Sequence, residues 1–458
     1  MHDTHHIIAR LLRSIGTRKE VEQYLRQYGS IESKKFAIIK VGGNIIAREL
    51  DSLASSLTFL HRVGLYPIVI HGAGPQLDEA LAAAGVVTPR VDGLRVTSSE
   101  ALEIARKVFQ RENLRLVEAL EELGTRARPI PAGVFEAEAV DPDRLGLVGR
   151  VVRVHLEAIE SSIRAGHLPI LSSLGETAGG QILNINADVA AGALARTLEP
   201  YKIIFLTETG GLLDAEGQVI SAINLAEDYE PLMAQPWVHS GMRLKLQEIH
   251  QLLDGLPHTS SVSITSPDHL ARELFTHRGS GTLIRQGERI ERHDQVTAIA
   301  PHRLQSLIED CFQRPLAPDY FAYKPFFRIY LSTSYRGTAI LTREPGWEVP
   351  YLDKFAVTQE AQGLGVGASI WERMRRENPC LYWRSRRDNP INAWYFEHAD
   401  GCYKSDRWTI FWYGLGDFAG AKTCIDHALS LPATLGEPGP TGRTEPPEPP
   451  EAPKETHA

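Results

Sequence analysis

The chain has 458 residues, 43% of them hydrophobic and 23% charged, and a formal net charge of −8. That length exceeds one ordinary core and implies two or three domains, while the negative balance argues against a general nucleic-acid binder. No stretch approaches the roughly 18 uninterrupted apolar residues of a membrane span, and Cys311, Cys380, Cys402 and Cys424 form no CxxC pair, so neither a disulfide framework nor a zinc site is expected.

Residues 1–30 are predicted as a helical arm. Ile7, Ile8, Leu11, Leu12 and Ile15 fall on one face at helical spacing, and Gly16 ends that pattern. Thr17 and Glu20 then form a capping box for a second short helix that Gly29 closes. An apolar stripe on such an arm needs a surface, either its own domain or a second subunit. The arm suits neither a secretory signal nor a transit peptide, which makes the cytoplasm the expected compartment.

From residue 31 to about 286 strands and helices alternate, the pattern of a parallel α/β sheet. Strands are predicted over 37–41, 66–70, 168–172, 202–206 and 261–265. The first runs into Lys40-Val41-Gly42-Gly43-Asn44. Adjacent glycines at a strand end let backbone N–H groups approach an anion, and Lys40 adds a point charge, although an ordinary glycine turn has the same letters. The second strand runs into His71-Gly72-Ala73-Gly74-Pro75. Both junctions would lie beyond the carboxyl ends of the strands, where ligands of open α/β sheets bind. Thr97 and Glu100 predict a capping box for a long helix ending near Gly124.

Three more stretches carry groups suited to anions. Arg95, in a turn before that helix, fits either a bidentate carboxylate clamp or a surface ion pair. In Asn184-Ile185-Asn186-Ala187-Asp188 two amides alternate on an extended segment, and Asp188 is either a functional carboxylate or one favoured by a helix start. Lys245 follows the bend at Gly241 by one helical turn.

KVGGN, HGAGPQ, DGLRVT, LNINAD, LTETGGLLD and SGMRLK, in that order, resemble the amino acid kinase family over residues 31–286, most closely its N-acetylglutamate kinases. The resemblance implies that Lys40 and Lys245 sit on the transferring phosphate from two sides and that Asp188 orients both. Gly42, Gly43, Gly72 and Gly74 would form the phosphate-binding turns, and Arg95 and Asn184 would hold the carboxylates of N-acetylglutamate. ATP with Mg²⁺ is the implied donor, with no protein metal ligand assigned. Ala73 stands where relatives often have a third glycine. Residues 273–282 resemble the arginine-binding segment of arginine-inhibited relatives, with Glu273 and Gly279 at the effector. By the same resemblance the N-terminal arm becomes a contact of a homo-oligomer, a tetramer or larger.

Residues 287–312 are predicted as a connector and the start of a second domain, with a helix over about 302–312. An α+β region follows over 313–433, and 434–458, rich in Pro, Glu, Gly and Thr, is expected to be a disordered tail. Residues 351–357 form a predicted strand, after which Gln362, Gly363, Gly365 and Gly367 present bare backbone to a pyrophosphate at a helix start. This loop resembles the acyl-CoA-binding loop of the GNAT acetyltransferases. With YLDKFAV and WRSRRDNPINAWYF, residues 292–433 resemble the acetyltransferase domain of vertebrate-like N-acetylglutamate synthases.

That resemblance implies acetyl-CoA and L-glutamate as substrates. Lys354, Arg384, Arg386 and Asn389 supply partners for two carboxylates, and Arg384 and Arg386 alternate on one strand and so share a face. Tyr395 is either the general acid for the thiolate leaving group or a core aromatic beside Trp394 and Phe396. No cysteine is placed as an acyl carrier, so the glutamate amine is expected to attack acetyl-CoA directly. The expectation is therefore an amino acid kinase fold followed by a GNAT domain. Such an enzyme would acetylate L-glutamate and phosphorylate N-acetyl-L-glutamate under L-arginine control. A synthase whose kinase-fold half only senses arginine, and a non-catalytic scaffold, are the alternatives; Lys40, Asp188 and Lys245 together argue against both.

Overall fold

The computed structural model describes residues 32–91, 93–275, 280–362 and 364–436. The predicted N-terminal arm, Gly279, Gly363 and residues 437–458 of the predicted tail lie outside them. The chain divides into two compact units between Gly287 and Glu288.

In the first unit eight strands make one sheet: β1 (Ala37–Val41), β2 (Ile68–His71), β3 (Ala127–Ile130), β4 (Leu168–Ser172), β5 (Lys202–Leu206), β6 (Ala222–Asn224), β7 (Ser261–Thr265) and β8 (Thr282–Arg285). Their order across the sheet is β6-β8-β7-β5-β1-β2-β4-β3. Central β1 is parallel to β5 and β2, and the antiparallel pairing of β7 with β8 lies near one edge. Ile38 packs into one apolar layer with Ala190 and Leu194, while Ala37 and Ile39 pack into the opposite layer with Leu53 and Leu57. Burial on both faces explains why β1 is an apolar run without alternation. A separate four-stranded sheet, ordered Ile182–Asn184, Leu174–Glu176, Phe135–Ala139, Gly149–Val154, ends its first strand at Asn184.

Two local expectations shift. The second strand starts at Ile68 and not at residue 66, because Pro67 has no N–H to give a ladder, and it continues to His71. The cap of the long helix Ser99–Glu122 is Ser98, whose Oγ accepts from Ala101 N at 3.1 Å. Thr97 is instead buried, and its hydroxyl donates to Arg95 O at 2.9 Å.

The helices that matter for the site are α1 (Gly43–Arg48), α2 (Gly74–Ala83), α3 (Ser99–Glu122), α4 (Ala187–Leu198) and α5 (Ser240–Asp254). The first two leave directly from the ends of β1 and β2.

The second unit is a seven-stranded sheet: β9 (Ile290–His293), β10 (Phe326–Ser332), β11 (Gly337–Thr342), β12 (Tyr351–Val357), β13 (Leu381–Arg386), β14 (Gly401–Lys404) and β15 (Trp408–Tyr413), ordered β9-β10-β11-β12-β13-β15-β14. Helices α6 (Pro301–Phe312), α7 (Val366–Glu377), α8 (Asn392–His398) and α9 (Phe418–Ser430) complete it. Parallel strands β12 and β13 pair only at Tyr351 with Tyr382 and Leu352 with Trp383, then part. The β11–β12 register skips at Asp353, a bulge that lets the side chains of neighbouring Asp353 and Lys354 both be buried. Thr434, expected to begin the tail, is buried, and Leu435 bridges to Leu316. Among the described residues no helix is long and apolar enough to cross a membrane.

Candidate active site

In the first unit three elements converge on one carboxylate oxygen. β1 carries Lys40 at its penultimate position, between Phe205 of β5 and Ile70 of β2. Asn186 caps α4, its Oδ1 accepting from Asp188 N at 2.7 Å, which sets Asp188 in the first turn. From α5, Lys245 lies over the Phe205 ring, 3.9 Å from its centroid. Asp188 Oδ1 is 3.1 Å from Lys40 Nζ and 3.2 Å from Lys245 Nζ. Burial pushes the Asp188 pKa up, but the charges of Lys40 and Lys245 outweigh it and hold the carboxyl below its usual range. Burial also pulls Lys245 down, opposed by Asp188 and assisted by Lys40. Two cations on one anion leave a surplus positive charge, which suits a polyanionic ligand.

The glycine turns meet beside this triad. A Cβ on Gly43 would stand 2.7 Å from Gln76 Oε1, 2.9 Å from Pro75 Cδ and 3.0 Å from Gly74 N, so the two turns pack this closely only without a side chain. Gln76 Nε2 donates to Gly43 O at 2.8 Å, and Gly72 N donates to Val41 O at 3.0 Å. Gly42, Gly43, Gly72 and Gly74, with Lys40 and Asp188, line a cavity of about 370 Å³. Ala73 is buried beside Leu77 and Phe109 and also borders this cavity.

Arg95 and Asn184 line the same cavity. Arg95 donates to Thr88 Oγ1 at 2.9 Å and pairs with Asp78; Asn184 Nδ2 donates to Thr97 Oγ1 at 3.2 Å. A cavity residue absent from the sequence reading is Arg90, whose guanidinium is 3.6 Å from Asp78. Arg90 faces Arg95 across a short hairpin. The Asp92-Gly93 pair between them is the local turn signal that could have joined the two arginines.

The second unit brings only some of its expected residues together. Lys354 Nζ lies 2.5 Å from Asp353 Oδ2 and donates to Thr434 Oγ1 at 2.6 Å. Asp353 also receives Lys324 at 3.1 Å and the Tyr320 hydroxyl at 2.6 Å. Arg384 and Arg386 do share a strand, but Arg384 donates to the carbonyls of Ala428 and Leu431 at 2.7 Å and of Pro432 at 2.8 Å, where α9 ends. Its guanidinium is engaged as a helix C-terminal cap. Asn389 N donates to Arg386 O at 3.0 Å, which folds the two into one turn. Tyr395 is buried against Trp371, Trp383 and Phe411, and burial holds its hydroxyl protonated well above the usual tyrosine range. After β12, Gln362 Nε2 reaches Val357 O at 3.5 Å, and Gly365, at φ +89°, caps α7. A Cβ on Gly367 would approach Val357 Cγ2 to 3.2 Å.

The Amino acid kinase family model matches residues 35–263, and the model for the N-acetyltransferase of N-acetylglutamate synthase matches residues 291–430. An acetylglutamate kinase of Xanthomonas campestris pv. campestris is 53% identical over 424 residues, covering 92% of this chain and all of the relative. The chain belongs to the amino acid kinase family. The human mitochondrial N-acetylglutamate synthase is 34% identical, over 92% of this chain and 77% of its own. An N-acetylglutamate synthase from Neisseria gonorrhoeae, solved with coenzyme A and N-acetyl-glutamate, shares the fold with a TM-score of 0.64 at 20% identity, covering 86% of this chain and 98% of its own. This amino acid kinase family member is thus a bifunctional transferase, with a kinase unit and an N-acetyltransferase unit on one chain.

Glu273, expected at an effector site, lies in the helix Leu270–Phe275, and its Oε2 accepts from Ser280 N at 2.9 Å and Gly281 N at 3.0 Å. Among the described residues no group of three or more His, Cys, Asp or Glu is placed to hold a metal ion. The donors that line the cavity, Lys40 and the glycine turns, fit a phosphate chain, on which a family-implied Mg²⁺ would be carried.

Proposed function

We propose that the second unit transfers the acetyl group of acetyl-CoA to L-glutamate and that the first unit phosphorylates the product, N-acetyl-L-glutamate, with ATP. The observation that carries this reading is the single Asp188 oxygen shared by Lys40 and Lys245 at the rim of a glycine-lined cavity that also holds Arg95 and Asn184.

In the kinase reaction the substrate γ-carboxylate attacks the γ-phosphorus, the bond to the β-phosphate oxygen breaks, and an acyl phosphate results. Lys40 and Lys245 neutralise charge on the transferring group, Asp188 keeps their ammonium groups aimed, and the glycine turns offer N–H donors. Arg95 and Asn184 fix the substrate carboxylate. Mg²⁺ would arrive on the ATP phosphates and supply further charge neutralisation there.

In the acetyl transfer the glutamate amine attacks the thioester carbonyl and the thiolate leaves, with protonated Tyr395 as its acid. The parting of β12 from β13, followed by the Gln362–Gly367 loop, supports an acyl-CoA site. Arg386, Asn389 and Lys354 are the groups proposed for the glutamate carboxylates. L-Arginine is proposed as feedback inhibitor, and the enzyme as a cytoplasmic homo-oligomer of four subunits or more.

The test is direct. Purified protein given glutamate, acetyl-CoA and ATP should form N-acetylglutamate and then an acyl phosphate trapped by hydroxylamine; lack of either product removes the corresponding activity. Glu273→Ala should blunt arginine inhibition of acetyl transfer, and unchanged inhibition would place the effector elsewhere.

A further inference from the structure

His71 ends β2, immediately before the turn Gly72-Ala73, and is fully buried. Its Nε2 is 3.1 Å from Asn113 Nδ2, and its Nδ1 is 3.4 Å from Gly72 O. Asn113, on α3, is itself buried, and its Nδ2 also donates to Ile170 O at 3.0 Å and lies 3.3 Å from Ser172 Oγ. A main-chain carbonyl can only accept, so the Asn113 atom facing Ile170 O must be the nitrogen. That nitrogen donates, so the imidazole Nε2 beside it accepts. The proton of the neutral ring therefore sits on Nδ1, facing Gly72 O.

Burial keeps the ring neutral by pulling its pKa down to about 4. Asn113 Oδ1 is buried without a hydrogen-bond partner, a cost that an apolar side chain of the same size would avoid. In a planar trans peptide the C=O and N–H point in opposite directions. Holding Gly72 O toward His71 therefore turns Ala73 N–H the other way, and Gly72, Ala73 and Gly74 line the cavity whereas His71 is not among its lining residues.

We infer that His71, fixed in its Nδ1–H tautomer by Asn113, is a positioning residue for the phosphate-binding turn: it pins the Gly72 carbonyl and so aims the Ala73 N–H into the cavity that Lys40 lines. It touches no reacting atom; it sets the direction of a donor to the transferring phosphate.

The inference rests on the kinase reading of this cavity. The test compares His71→Asn, whose amide nitrogen takes the place of Nδ1, with His71→Gln, whose amide takes the place of Nε2. Acyl phosphate formation from ATP and N-acetylglutamate is measured on the full chain, with acetyl transfer by the second unit as a control. His71→Asn is expected to keep kcat within about threefold of the unmodified protein, and His71→Gln to lose at least about tenfold. KM for N-acetylglutamate should be unchanged in both, the split expected when a donor acts in the transition state. Equal kcat in the two variants, whether high or abolished, overturns the inference, as does a loss confined to KM. An unmodified protein that makes no acyl phosphate overturns the kinase reading as well, whereas an active one with equal variants overturns this inference alone.

Discussion

Lys40 Nζ lies 3.1 Å from Asp188 Oδ1, and that oxygen also takes Lys245 at 3.2 Å, so one carboxylate sets the separation and direction of both ammonium groups. The substitution Asp188→Asn leaves two cations facing each other across a neutral amide. The kinase kcat is expected to fall on the order of a hundredfold, and the first unit to lose about 2 kcal/mol of stability, less than a fully buried pair would cost. Steady-state kinetics with a denaturant titration checks this; a kcat near that of the unmodified protein would mean that the lysines are held by something else.

The same triad predicts the alkaline limb of the kinase. Burial lowers the Lys245 pKa, and in the proposed mechanism the charged ammonium is the working form. Kinase kcat/KM, which reports the free enzyme, should therefore decline with rising pH before an ordinary lysine, near ~10.4, would deprotonate. The stability sign is opposite: the unfolded chain keeps this proton to higher pH than the native one, so between the two pKa values this group's contribution to stability rises with pH. Glu248, 3.9 Å from Lys245 Nζ, raises the lysine pKa, so Glu248→Gln should move the limb to lower pH. A limb that stays put in a kcat/KM–pH profile counts against Lys245 as the titrating group.

Arg384 gives three hydrogen bonds to the carbonyls that end α9. Arg384→Ala is expected to destabilise the second unit by about 3 kcal/mol, while KM for glutamate stays within about twofold in the protein that remains folded. A tenfold rise in KM, on the order of 1.4 kcal/mol, with unchanged unfolding would return this guanidinium to the substrate.

Much of the kinase half was legible because its signals are local. An apolar run buried on both faces, ending in Lys40 and two glycines, specifies a central strand and its exit within a few residues. What escaped depends on distant partners or on one-residue competition. Ser98, not Thr97, caps α3, because Thr97 is committed to Arg95 O and Asn184, and Asn184 comes from 87 residues on. The carbonyls that hold Arg384 lie 44–48 residues downstream, and no spacing rule ties a strand arginine to a later helix end. The burial of Thr434 against Lys354 was hidden for the same reason, since composition alone marked that stretch as a tail.

The central claim is that one chain carries two independent transfer sites, with Lys40 essential to the second reaction only. The most direct measurement is of both activities in Lys40→Ala: hydroxylamine-trapped acyl phosphate from ATP and N-acetylglutamate, and thiol release from acetyl-CoA with glutamate. Acyl phosphate should fall on the order of a hundredfold or more while thiol release is unchanged. Acyl phosphate formation that persists, or acetyl transfer that is lost with it, would contradict the account.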